Sequence, residues 1–139
     1  MKRFVLDASV TLAWFLDHPP APYAGRIKRM LLEGSRAVVP ALWSLEVANG
    51  FVVAERRGLL TPSDSIEALQ NLEIVLAQAI EHSPESPTVR RVLATAREFR
   101  LTAYDAVYLD AARSHQLPLA SLDRRLMEAA AQANVPLVP

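Results

Sequence analysis

The 139-residue chain reads as an α/β protein organised around a parallel sheet with helices on both faces. Three observations predict this class. Short apolar runs such as "KRFVL", "RAVVP" and "LPLAS" alternate with stretches of helical spacing, the pattern of parallel strands joined by crossover helices. The composition, 51% hydrophobic and 22% charged, is that of a globular core former rather than a disordered or fibrous chain. No repeat or low-complexity stretch interrupts it, and a chain of this length buries about two thirds of its unfolded surface, so residues 1–139 are read as one domain.

The elements follow in order. Lys2 to Leu6 is the first strand, and Asp7 to Ser9 lead into a helical run through Leu16. That helix stops at "DHPPAP", because Pro19, Pro20 and Pro22 lack amide donors and disfavour helix in the residues before them. Tyr23 to Gly34 has helical spacing at Ile27, Met30 and Leu31, with Gly34 as its C-cap. Residues 36–40 form the second strand, and Pro40 to Arg57 a long helix ending at Gly58. "TPSD", residues 61–64, opens another helix with Thr61 at the N-cap, Pro62 in the first turn and an acid at N3; it runs to about Ala77. A short strand is placed at Ala79 to His82. "SPTVRRVLATAREFRL" starts a helix at Ser86 and Pro87, and a further helix spans Ala103 to His115. Residues 117–121 are the third clear strand, Arg124 to Asn134 a helix, and "VPLV" a final short strand.

Composition narrows the function classes. The absence of cysteine removes disulfides, thiolate nucleophiles and cysteine-bound zinc. Lys2 and Arg3 ahead of an apolar run imitate a signal peptide, but Asp7 interrupts the run and no small-residue cleavage site follows, so a soluble, cytoplasmic chain is expected. No apolar stretch is long enough to span a membrane. Fifteen basic and fifteen acidic residues cancel. Were four acids gathered into one pocket, however, the remaining surface would carry an excess of positive charge, most of it Arg, the side chain best shaped for phosphate.

Four acids are placed to gather. In open α/β sheets ligands bind outside the carboxyl ends of the strands. Asp7 closes the first strand, and Asp123 follows the "LPLAS" strand. In "LTAYDAVYLDAA" Asp105 falls on the face shared by Leu101, Tyr108, Leu109 and Ala112, where an apolar residue is expected. Glu46, in "ALWSLEVANGF", shares a face with Leu42, Asn49 and Val53. Each has a purely structural alternative. Asp7 and Asp123 could cap the helices that follow them, "TAYD" has the form of a capping box on Thr102, and Glu46 could join a partly buried ion pair. Together those alternatives weaken: carboxylates about 4 Å apart repel by about 4 kcal/mol per pair at an effective dielectric of 20. Such a cluster persists by taking up protons or binding cations, and oxygen-only ligands select hard ions, Mg²⁺ or Mn²⁺. His18, His82 and His115 have no ligand spacing and are read as surface residues. Asp110 lies about 140° around the helix from Asp105, so it is assigned to the solvated flank, pairing with Arg113.

At these residues the sequence resembles the PIN-domain ribonucleases, and in particular the VapC toxins of bacterial and archaeal toxin–antitoxin systems. The matching pieces are "VLDASV" with Asp7 and Ser9, "LEVAN" with Glu46 and Asn49, "LTAYDAVYLDAA" with Asp105, and "LASLDRRL" with Ser121 and Asp123, in the family's order across nearly the whole chain. The resemblance implies a three-layer α/β/α sandwich with a short central parallel sheet and an acidic pocket for Mg²⁺ or Mn²⁺. It also implies endonucleolytic RNA cleavage, a homodimer, and neutralisation by a small VapB-like antitoxin. Carried across, Asp7, Glu46, Asp105 and Asp123 are the metal-site and catalytic acids, and Ser9, Asn49 and Ser121 are supporting polar groups. Ser121 stands where Thr is commoner, and "DHPPAPYAG" is an unusual connection.

Carboxylate-held metal ions suit phosphodiester hydrolysis because they acidify water and stabilise attacking and leaving oxygens. Arg124 and Arg125, just after Asp123, are candidate RNA-backbone contacts, with solvated helix charges as the alternative. Trp14, Phe15, Leu16, Phe51, Val52 and Val53 read as core or dimer contacts rather than a base-stacking platform. The rivals are a solitary RNA-processing nuclease without antitoxin, a catalytically silent RNA-binding scaffold, and an aspartate phosphotransfer domain; the last requires a second acid where this chain has Ser9.

Overall fold

In a computed structural model, which describes residues 2–139 apart from the side chain of Val75, four parallel strands form one sheet in the order β3-β2-β1-β4. The strands are β1 (Arg3–Leu6), β2 (Arg36–Val39), β3 (Ile80–His82) and β4 (Leu119–Ala120). Between them run α1 (Ala8–Leu16), α2 (Pro22–Leu32), α3 (Ala41–Arg56), α4 (Pro62–Leu76), α5 (Val89–Phe99), α6 (Ala103–His115) and, after β4, α7 (Arg124–Gln132). This is the α/β class expected from the alternation of apolar runs and helical stretches.

Phe4, Val5 and Leu6 are consecutive and all buried. Successive strand residues point to opposite faces, so helices cover the sheet on both. Val5 pairs with Val38 on one side and Leu119 on the other, which makes β1 an interior strand. Each such side chain contributes about 1.5–3 kcal/mol of apolar burial. The two tryptophans satisfy their ring N–H groups inside the core, Trp14 on the Ala24 carbonyl at 2.7 Å and Trp43 on the Thr11 hydroxyl at 3.3 Å.

The topology fixes where a ligand can sit. From β1 the chain moves outward through β2 to β3, then returns to lay β4 on the opposite flank of β1. The crevice beyond the carboxyl ends of β1 and β4 is therefore the switch point of the sheet. The Asp7 amide donates to the Ala120 carbonyl at 3.0 Å, holding those two strand ends side by side.

Several boundaries differ from the sequence reading. α5 begins at Val89 rather than Ser86, because Thr88 supplies the N-cap, its hydroxyl accepting from the Arg91 amide at 3.3 Å. The final strand reduces to one parallel bridge between Leu119 and Leu137, since β4 is itself two residues long and offers no further ladder. No helix among the described residues is long and apolar enough to cross a membrane.

Candidate active site

Asp7 leaves β1 in extended conformation at the N-cap position of α1, but its side chain makes no capping bond. Its Oδ2 instead accepts from the hydroxyls of Ser9 at 2.6 Å and Ser121 at 2.8 Å. The same hydroxyls accept from the next segment: the Leu122 amide donates to Ser9 Oγ at 3.0 Å and the Asp123 amide to Ser121 Oγ at 2.9 Å. The strand ends are thus cross-tied through two serines, and Asp7 and Asp123 are held in one frame. Burial pushes the Asp7 carboxyl above the usual carboxylate range, the two serine hydroxyls pull it back, and the charge of Asp123 adds to the rise.

Asp123 keeps its structural role as well. Its Oδ1 accepts from the Leu126 amide at 3.1 Å, capping α7, while the residue lines the cavity. Glu46 reaches the same cavity from the second turn of α3, and its Oε1 accepts from the Tyr108 hydroxyl at 2.6 Å. Burial raises its pKa against the pull of the Tyr108 bond, and Asp7 and Asp123 raise it further. Gly50, one turn on, lines the cavity too, and a Cβ there would collide with the Leu12 side chain of α1. Its lack of a side chain lets α3 lie close over α1.

Asp105 occupies N3 of α6. The Thr102 hydroxyl accepts from its amide at 3.1 Å, but the return bond from the Thr102 amide to the carboxylate is not made. The carboxyl lies half-buried, and burial first, then the charges of Asp123, Asp7 and Glu46, push its pKa up to about 6. Three other acids from three other elements are therefore close enough to be felt at Asp105.

All four acids line one cavity of about 640 Å³, with Ser9, Asn49 and the exposed Tyr104 among its further walls. Among the described residues no Lys, Arg or His lines it. The donor set is oxygen throughout, the set that suits a hard divalent cation. Among those residues no three acids are drawn together as a ready-made coordination group. Asp7, Glu46 and Asp123 are each held on a protein donor, and the four repel one another.

Ser121 is buried behind Asp7 rather than facing the cavity. The two arginines are not brought to it. Arg124 pairs with Glu128 at 3.7 Å, and Arg125 lines a separate cleft with Phe99 and Arg100. Asp110 does not pair with Arg113, contrary to expectation. α5 covers that flank, Thr95 Oγ1 donates to Asp110 Oδ1 at 2.7 Å, and the Arg113 guanidinium stacks over Phe99 at 5.6 Å. Nor is His115 a free surface residue, since its Nε2 meets Ser83 Oγ at 3.0 Å. Tyr108, assigned to core packing from the sequence, carries a polar function its spacing did not show; a buried tyrosine's need for a hydroxyl partner was the available signal.

The PIN domain profile matches residues 4–132, nearly the whole chain. The chain belongs to the PIN-domain family. PIN domains are generally nucleases, and most use divalent metals. Among solved structures this PIN domain is similar to PAE2754 from Pyrobaculum aerophilum, with 25% identity, TM-score 0.67, and 92% of this chain and 84% of that one covered. It is also similar in fold to FitAcB from Neisseria gonorrhoeae, with 19% identity, TM-score 0.63, and 98% and 96% covered. No curated protein sequence matches it significantly.

Proposed function

We propose that this PIN domain is a Mg²⁺- or Mn²⁺-dependent endoribonuclease acting as the toxin of a VapBC-type module. The observation that carries the nuclease reading is the convergence of Asp7, Glu46, Asp105 and Asp123 on one cavity that no lysine, arginine or histidine among the described residues lines. Such a cavity repels a phosphodiester unless positive charge is brought in. Asp7, Glu46, Asp105 and Asp123 are the residues that would hold a divalent cation. Bound there, it supplies Lewis acidity for water and for the charge that develops on the attacking and leaving oxygens. The chain's own residues hold the frame: Ser9 and Ser121 fix Asp7, the Leu126 amide fixes Asp123, and Tyr108 fixes Glu46. Burial and the charges of the other three acids push the Asp105 pKa up to about 6 against the pull of the Thr102 hydroxyl, so this carboxyl gives up a proton as the cavity fills.

The toxin reading rests on the four motifs in VapC order. Apolar side chains left exposed on α4, Ile66 and Ile74, and on α5, Val89 and Leu93, offer faces for a second protomer and an antitoxin. The test is twofold. Purified chain should cut single-stranded RNA internally with Mg²⁺, stop in EDTA and resume with Mn²⁺. Its induction in a bacterial host should arrest growth, a small open reading frame should overlap or directly precede its gene, and co-expression of that frame should relieve the arrest. Absence of cleavage ends the nuclease reading, and metal-independent cleavage ends the divalent-cation reading of the cavity; cleavage without arrest favours the solitary RNA-processing nuclease.

A further inference from the structure

We propose that Tyr108 is a positioning residue of the acidic cavity, its hydroxyl fixing the Glu46 carboxylate and tying the helix that carries Glu46 to the helix that carries Asp105. The proposal rests on the reading of the cavity as a divalent-cation site.

Tyr108 is fully buried and lies three residues after Asp105, on the same face of α6. Its ring belongs to the core, so the phenol oxygen is presented from a rigid base with two torsions. Glu46 is the opposite case. It sits on α3 between Leu45, which is 70% exposed, and Asn49, and a glutamate on such a surface samples many rotamers. The 2.6 Å bond to Oε1 selects one of them, a length typical of a charge-assisted bond from a hydroxyl to a carboxylate. Among the described residues Glu46 has no other hydrogen-bond partner, whereas Asp7 has two serines and Asp123 has the Leu126 amide. A phenol donates one proton, so it occupies one carboxylate oxygen and leaves the other to the cavity. Phenylalanine would fill the same core volume; the hydroxyl is what reaches Glu46.

Partners that orient ligating groups typically change metal affinity by about 10–100-fold when removed. Isothermal titration of Mn²⁺ into the purified chain should therefore show Tyr108→Phe binding at least tenfold more weakly than the parent, with the circular dichroism spectrum retained. If Tyr108 acts through Glu46, the double variant Tyr108→Phe/Glu46→Gln should bind no more weakly than Glu46→Gln alone; additive losses overturn the proposal. Parental affinity in Tyr108→Phe, with Asp105→Asn having lost Mn²⁺, overturns it while leaving the cavity reading intact. Parental affinity in both overturns the cavity reading and the proposal with it. Should Tyr108→Phe not fold, Glu46→Asp carries the test. It keeps the charge but falls a methylene short of the phenol, so tenfold weaker binding is expected and parental affinity overturns the proposal.

Discussion

α4 opens on Thr61-Pro62-Ser63-Asp64 and α6 on Thr102-Ala103-Tyr104-Asp105, the same pattern of an N-cap threonine with an aspartate at N3. In both, the threonine hydroxyl accepts from the aspartate amide at 3.1 Å. At α4 the carboxylate turns back and accepts from the Thr61 amide at 2.9 Å, completing the capping box, and those bonds hold the exposed Asp64 below the usual carboxylate range. At α6 the return bond is missing and the carboxyl faces the cavity, where burial and three other acids push it up to about 6. The local motif sets where each helix starts. Tertiary neighbours decide whether its acid serves the backbone or something outside the chain.

The largest effect that separates the two aspartates is on activity. Asp105→Asn keeps the size and the Thr102 cap but removes a cavity charge, and Mg²⁺-dependent RNA cleavage should fall by about 100-fold or more, at or above the loss typical of a ligand-orienting partner. Asp64→Asn should leave cleavage within about twofold. Gel-based cleavage rates of the two purified variants measure this, and equal losses would erase the distinction. Next in size is Ser121→Ala. That buried hydroxyl donates to Asp7 and accepts from the Asp123 amide, so its removal leaves two groups short of a partner. It should cost about 1.5–3 kcal/mol of stability and about 10–100-fold in cleavage rate; urea unfolding and the same assay report both. A Ser121→Ala protein with parental stability and rate would show that the serine cross-tie is dispensable.

The strands and helices were legible because burial imposes periodicity: "KRFVL" and "RAVVP" are apolar where both faces are covered, and Thr61-Pro62 marks a helix start by local chemistry alone. The acids were legible as exceptions to that periodicity, Asp105 and Glu46 standing on faces otherwise apolar. What the sequence did not show depends on pairing between distant elements. Whether Asp7 caps α1 turns on Ser121, 114 residues away. Asp110 reads as solvated from its own helix alone, and it is α5 that covers it, through Thr95. Tyr108 fitted the apolar pattern so well that its hydroxyl went unassigned, and Arg124 found Glu128 on its own helix rather than the cavity. Ser86-Pro87 looked like a helix start, but Thr88, two residues later in that turn, held the better cap.

A third effect separates the aspartates by sign. Asp105 binds its proton more tightly in the folded chain, where its pKa is about 6, than in the unfolded one, where about 4 is expected. The folded state therefore holds more protons between those values, and stability falls as pH rises from about 4 through about 6. With the group half-exposed, solvent screening limits the loss to about 1 kcal/mol. Asp64 runs the other way: its folded pKa is lowered, so its contribution is present above about pH 4 and is lost as pH falls below that. Melting curves in EDTA should find Asp105→Asn more stable than the parent, the gap opening between about pH 4 and pH 6 and constant above. Asp64→Asn should be less stable at neutral pH, its gap closing in acid. A gap of the same sign for both would mean that the two carboxylates share one environment.

The smallest effect concerns the part the two helix starts have in common. Thr61→Ala and Thr102→Ala each remove one N-cap bond, and each should cost about 1 kcal/mol of stability. The costs are alike because the bond lengths are alike. Function should still tell them apart. Fraying the first turn of α4 disturbs only an exposed helix end, whereas fraying α6 moves Asp105 itself, which has no return bond to the backbone to keep it in place. Cleavage by Thr61→Ala should match the parent, and cleavage by Thr102→Ala should drop several-fold, with serine at position 102 restoring both stability and rate through its hydroxyl. If Thr102→Ala loses stability but keeps its rate, Asp105 is held by the cavity rather than by the helix start, and the cap common to both helices is purely structural.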